Sequence, residues 1–463
     1  MGIKIGFLPS HREPFGEKWA AEMRARCLRV MKKVPGIEVV VPDISMTKLG
    51  VVRNLDDAAK TLQLFKDNDV AGVIVGGMTF GHETSAVNGV IANLPRPLPV
   101  LHFATKGKVE QNGTRPSDSW CGQFMITSAL KRRGLAFEHI PTCFPEEPVF
   151  AQEVGRFVRA CAAQRNFRGK RIGQLGARPE EFESVWWDEA SLQKDFNQTV
   201  VPIDLADIFM RLDQAEPTDP EVKKVVRKIR GYADVPEAAK DSVTVLARME
   251  VALVRLAKEK QLDVLCVNCW TQVQLRYGIC VCSVLGRLTD QGIPCACEVD
   301  VYGGATLLAA IGAGLGKTAP HFIDWTELHP TEENVWLAWH CGNAPPSLCS
   351  SDCRACINRH SIIPLPAYGT LEFHLRPGPV TCCRLVEYEG KFSMFIGEGE
   401  IVDLPPTVRG SYGWVKVKDA MDWERKMVEH GIIHHGVMIH DPAVAAALES
   451  FCKFNGIAVV RGA

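Results

Sequence analysis

The chain has 463 residues, 46% hydrophobic and 23% charged, proportions that exclude a disordered or collagen-like protein. At roughly 100–200 residues per domain, this length makes room for two to four domains. Fifty-three Lys and Arg against fifty-four Asp and Glu leave a net charge of -1, which gives no global pull toward nucleic acid or an acidic membrane surface. No apolar run approaches the ~18 residues of a membrane span. The N-terminal stretch MGIKIGFLPSHREPFGEKW lacks the charged head, long apolar core and cleavage site of a secretory signal. The expectation is a cytoplasmic protein with neither nucleic-acid nor membrane partners, whose seventeen cysteines are mostly buried thiols.

The first third alternates short apolar strands with amphipathic helices. Strands are predicted over 3–9, 37–43, 71–77 and 98–104, with helices over 17–33 and 56–67. Continuous Val/Ile/Leu runs separated by helices predict a parallel sheet covered on both faces. Ligands approach such sheets at the carboxyl ends of the strands, which here carry Ser10-His11-Arg12 and Met78-Thr79-Phe80-Gly81-His82. After a helix near 151–165 the pattern restarts. A strand over 170–178, a loop rich in acids and aromatics, a long helix over 236–261, a strand over 262–270 and a helix over 301–315 form a second α/β module. Beyond it, TLEFHLRP, VTCCRLVEYEG, KFSMFIGEGEIV and YGWVKV read as antiparallel strands with Gly and Pro turns. The predicted architecture is therefore α/β: two parallel-sheet, flavodoxin- or Rossmann-like domains over 1–167 and 168–347, then a smaller β-rich domain over 348–463.

Three signals carry chemistry. Gly312-Ala-Gly-Leu-Gly316-Lys317-Thr318 looks like a phosphate loop, but Ile311 stands where its first Gly belongs. A helix ended by glycines is the better account. Cys349, Cys353 and Cys356, with His360 close by, have a spacing that suits a structural metal or an iron–sulfur cluster. The third signal is distributed. Glu298, Asp324 and His340 each close a buried strand-like run, and His434-His435 follow the apolar Gly-Ile-Ile. Two carboxylates with one or two imidazoles make a mixed oxygen and nitrogen set suited to Mn²⁺, Mg²⁺ or Co²⁺.

The segment 269–345 and the tail GIIHHGVMIH resemble the L-fucose and L-arabinose isomerase superfamily. Members carry a Glu at a Glu-x-Asp strand end and an acid about twenty-five residues on. Some add a His about sixteen residues further, and a final His lies near the C-terminus. The matching positions are Glu298, Asp324, His340 and His435. The resemblance implies a metal-dependent aldose–ketose isomerase with Mn²⁺ as cofactor. Glu298 and Asp324 would be both ligands and acid/base pair, His435 a ligand, and His340 a fourth ligand or an orienter. His434 would face the sugar, with Phe80 lining its site, and Thr79, His11, Arg12, Arg178, Trp270 and Gln272 completing the substrate-facing set. One of Trp186-Trp187 would add an apolar wall. Arg12 and Arg178 are suited to hold an anionic group at the far end of the sugar, so a neutral deoxysugar and a 6-substituted anionic hexose both stand as substrates. The resemblance also implies a homotrimer or homohexamer in which residues such as Phe80 serve a neighbour's metal. The competing expectations are a non-catalytic sugar-binding or regulatory protein on the same fold, and a redox enzyme built on the three cysteines.

Overall fold

The computed structural model describes residues 2–95, 97–108, 113–405 and 408–463. It divides into two compact units, Met1–Arg165 with Ser450–Gly456, and Asn166–Glu449 with Ile457–Ala463. Among the described residues, no helix is long and apolar enough to cross a membrane.

The first unit is a five-stranded sheet. Its strands are β1 (Ile3–Ser10), β2 (Ile37–Val40), β3 (Gly72–Gly77), β4 (Val100–Thr105) and β5 (Glu138–Cys143), in the order β2-β1-β3-β4-β5. All four pairings are parallel. This is the flavodoxin-like doubly wound order, with its switch point between β1 and β3. Every residue of β3 and β4 is buried, which is why those runs lack alternation. The helix Glu17–Met31 buries Ala20, Met23, Cys27 and Met31, one face at three- and four-residue spacing. The helix Leu55–Asp67 begins where the Asn54 side chain accepts from the Asp57 N–H.

The second unit starts with β6 (Arg171–Leu175), β7 (Thr199–Ile203), the two-residue β8 (Ala233–Asp234), β9 (Val264–Val267) and β10 (Cys295–Cys297). Four of these form a parallel sheet in the order β10-β9-β6-β7. Then come β11 (His321–Leu328), β12 (Val335–His340), β13 (Ala355–Arg359), β14 (Tyr368–His374), β15 (Gly378–Tyr388), β16 (Lys391–Val402), β17 (Ser411–Lys416), β18 (His435–Ile439) and β19 (Ala458–Arg461). With β8 they make a ten-stranded sheet. An added β16–β17 pairing closes β16-β15-β18-β11-β12-β17 into an antiparallel barrel, leaving no free edge among those six strands.

The sheet therefore takes strands from both sides of residue 347. The runs HFID and VWLAWH lie in the predicted central module, but they pair with β18 and β17. Two consecutive apolar strands do not reveal which later strands they will meet. This pairing matters for the site, because it sets Asp324 opposite His435 across β11 and β18. The glycine-rich segment after residue 311 ends the helix Val301–Ala313, in keeping with a helix terminus rather than a phosphate loop.

Candidate active site

Glu298 follows the carboxyl end of β10, where the chain turns into the helix Val301–Ala313. Glu298 and Val299 both take left-handed backbone, at φ 60° and 61°, a conformation costing a non-glycine residue about 1 kcal/mol or more. The turn is anchored by Asp300, whose side chain caps the helix by accepting from the Gly303 N–H at 2.7 Å. The Trp270 indole N–H donates to Oε1 of Glu298 at 3.1 Å, leaving Oε2 turned to the imidazoles.

Nε2 of His435 lies 3.0 Å from that Oε2 and 3.6 Å from Oδ1 of Asp324. His434 Nε2 is 3.9 Å from the same Glu298 oxygen. Two sets of ligating atoms thus share His435, one with Glu298 and His434, the other with Asp324 and His340, each within 4.8 Å. Asp324 Oδ1 and the Nε2 atoms of His340, His434 and His435 are buried and have no hydrogen-bond partner among the described residues. Orphaned buried polar atoms are costly, and a cluster of this kind suits a cation or a polar ligand.

The other nitrogen of His435 is occupied. Its Nδ1 is 2.9 Å from Oδ2 of Asp300, and Asp300 is gripped by the two terminal guanidinium nitrogens of Arg384, Nη2 to Oδ1 at 3.0 Å. Burial opposes the charge on Asp300, but Arg384 and His435 hold its carboxyl well below the usual range. Burial likewise opposes ionisation of Glu298, and His434 and His435 overcome it. His435 is raised to about 9 despite its burial, through Asp300, Glu298 and Asp324. A cation binding there must displace that proton.

His340 is built differently. Its Nδ1 accepts the backbone N–H of Cys341 at 2.8 Å, so Nε2 carries the proton.

Around the cluster, Phe182 packs edge-on against Trp270 and at 5.4 Å from His434. Trp270 is therefore both a hydrogen-bond donor to Glu298 and a packing partner of Phe182. Arg178 borders a cleft of 830 Å³ with Glu180, Glu183, Trp186 and Tyr302, its Nη1 donating to the Pro179 carbonyl. Gln272 is exposed at the start of the helix Gln272–Tyr277.

His11, Arg12, Thr79 and Phe80 meet within the first unit, at the carboxyl ends of β1 and β3. His11 Nδ1 is 2.8 Å from the Thr79 hydroxyl, and its Nε2 is buried without a partner among the described residues. Phe80 stacks on Phe15 and carries the Arg12 guanidinium 5.1 Å from its ring centre. Arg12 is also paired with Glu83 at 3.0 Å, so its charge is already partnered.

Cys349, Cys353 and Cys356 are half-buried free thiols. Among the described residues they form no set of three ligating atoms within 4.8 Å. The Cys349 thiol donates to the Cys353 carbonyl and the Cys356 thiol to the Ile357 carbonyl.

Sequence reasoning assigned no role to Asp300 or Arg384. The signal for Arg384 was present: an arginine inside the apolar strand VTCCRLV must find a buried anion.

The family model for the fucose/sulfoquinovose isomerase N-terminal domain matches residues 6–168, and that for the L-fucose isomerase C-terminal domain matches 338–461. The chain is 26% identical over 315 residues to a sulfoquinovose isomerase of Alkalicoccus urumqiensis, covering 67% of this chain and 69% of that protein. A sulfoquinovose isomerase of Clostridium sp. (strain MSTE9) is 26% identical over 350 residues, covering 74% and 76%. One from Priestia megaterium (strain ATCC 12872 / QMB1551) is 22% identical over 310 residues, covering 66% and 67%.

Proposed function

The chain belongs to the fucose isomerase superfamily, and on that premise we propose that it interconverts a 6-sulfo aldose and its ketose at a divalent-cation site formed by Glu298, Asp324 and His435. It is an aldose–ketose isomerase, as its sulfoquinovose isomerase relatives indicate. Sulfoquinovose, the sugar these relatives are named for, supports a substrate with a sulfonate at C6 in preference to a neutral deoxysugar.

The observation that carries the reading is the convergence of both carboxylates on His435 Nε2, at 3.0 and 3.6 Å. The donor set of two carboxylates and one imidazole fits Mn²⁺, with Mg²⁺ and Co²⁺ as alternatives. Bound there, such a cation would supply Lewis acidity to the sugar's carbonyl. The chain's own residues then manage the proton. One of the two carboxylates takes the proton from C2 of the aldose and a carboxyl group returns one to C1, while the C2 hydroxyl proton passes to the C1 oxygen through the other carboxyl, so that both shifts balance. Glu298 is kept ionised by its imidazole neighbours and oriented by Trp270. His340 presents an Nε2–H to a sugar oxygen that gains negative charge. Assembly as a trimer or hexamer, with Phe80 serving another subunit's cluster, is supported by the family resemblance alone.

The test is an NMR assay of sulfoquinovose with the Mn²⁺-loaded protein in D₂O. Formation of the ketose with deuterium at C1, abolished by chelation and restored by Mn²⁺, is the expected result. Turnover that survives chelation contradicts the cation's role, and no turnover of any 6-sulfo sugar contradicts the substrate.

A further inference from the structure

We propose that Asp300 and Arg384 are positioning residues that fix the tautomer of His435 and thereby make its Nε2 a ligand atom. The inference rests on reading the Glu298–Asp324–His435 cluster as a cation site.

Four donors surround the Asp300 carboxylate. Oδ1 takes the Gly303 N–H at 2.7 Å and Nη2 of Arg384 at 3.0 Å, while Oδ2 takes Nη1 of Arg384 and faces His435 Nδ1 at 2.9 Å. Arginine stays charged at any pH the fold tolerates, so Asp300 stays ionised and has no proton to offer. Nδ1 of His435 is then the donor, and the lone pair of a neutral ring stands on Nε2, between the two acids. All three side chains are almost wholly shielded from water: Asp300 and His435 are 0% exposed and Arg384 1%. No solvent molecule competes for Nδ1; both ring nitrogens face carboxylates, and a cation takes the place of the proton on Nε2 and leaves the one held by Asp300.

His340 gives the contrast. There a backbone N–H occupies Nδ1 and the proton sits on Nε2. Two buried imidazoles with ring centres 6.0 Å apart are thus sorted into ligand and donor by what lies behind them. Partners behind a ligating histidine commonly set metal affinity by 10–100-fold.

A merely structural ion pair would move stability and leave the cation affinity of the folded protein unchanged. The experiment titrates Mn²⁺ into the metal-stripped full chain, reading free Mn²⁺ by electron paramagnetic resonance. Variants are D300N, R384K and E298Q, with thermal melting as the folding check. The expected result is about 10–100-fold weaker binding in folded D300N and an intermediate loss in R384K, which keeps the charge but not the two-pronged grip. Binding within twofold of wild type in either folded variant overturns the proposal and leaves the cation site standing. Wild type that binds no Mn²⁺, or E298Q that binds as wild type does, instead removes the underlying reading and the proposal with it. Should neither D300N nor R384K fold, the ¹⁵N-histidine spectrum of the Mg²⁺-loaded wild type decides, with His435 assigned by H435N. A proton on Nδ1 supports the proposal and one on Nε2 overturns it.

Discussion

His340 and His435 lie nearly parallel, 24° apart in plane with ring centres at 6.0 Å, yet their hydrogen bonds place the proton on opposite nitrogens. With a cation bound, His435 keeps its proton on Nδ1 toward Asp300 and turns Nε2 to the ion, whereas His340 keeps an N–H on Nε2. Their substitutions should therefore fail in different ways. H435N should lose Mn²⁺ binding by more than 100-fold. H340N should keep Mn²⁺ within about tenfold and lose about 10²–10⁴ in kcat. Equal losses of Mn²⁺ in both variants would show that the two rings do the same job.

Trp270 holds Glu298 by Oε1 and leaves Oε2 facing the imidazoles. E298Q should reduce kcat by about 10³ or more while the melting temperature stays near wild type. W270F removes one donor and keeps most of the ring, so it should lower kcat about tenfold with a smaller change in KM, since orientation rather than binding is lost. A W270F protein with unchanged kcat would leave the indole only a packing role.

Gly436 follows His435 in β18, where an added Cβ would lie 2.2 Å from the Trp325 ring. That indole packs against Trp336, Phe395 and Trp423, contacts it would have to give up to make room. G436A should destabilise the protein by about 1–3 kcal/mol, measured by denaturant unfolding. A neutral result would mean that the barrel relaxes around the added methyl group.

Burial lowers His102 and His321 to about 3, from about 6.5 in an unfolded chain. Between those values the unfolded chain binds more protons than the folded one, so stability rises with pH across the window. Their contribution is complete above about 6.5 and is lost as the pH falls toward 3, by about 1.4 kcal/mol per pH unit for each group. H102N removes one titrating group without adding charge. Its unfolding free energy should fall less steeply than that of wild type between pH 4 and 6. Parallel profiles would contradict a neutral buried His102.

Elements were more legible in the sequence than their partners. The runs 3–9, 71–77 and 98–104 could be read as parallel strands because burial on both faces makes them continuously apolar, and the structure places them in β1, β3 and β4. HFID and VWLAWH were recognisable as strands, yet their pairing with β18 and β17 depends on contacts about 75–115 residues away that no local pattern encodes. Asp324, His340 and His435 could be picked out as polar residues closing or following apolar runs, but composition and spacing alone could not bring them together. Asp300 stayed hidden because an acid before a helix looks like an ordinary cap. Arg384 alone betrayed a buried counter-charge, without revealing which acid supplied it.

The central claim is that Glu298, Asp324 and His435 share one cation. Anomalous diffraction at the manganese edge, from crystals grown with Mn²⁺, tests it most directly. The account predicts one strong peak within bonding distance of Glu298 Oε2, an Asp324 carboxylate oxygen and His435 Nε2. A peak lacking any of these three ligands, or no peak in the cluster at saturating Mn²⁺, would contradict it.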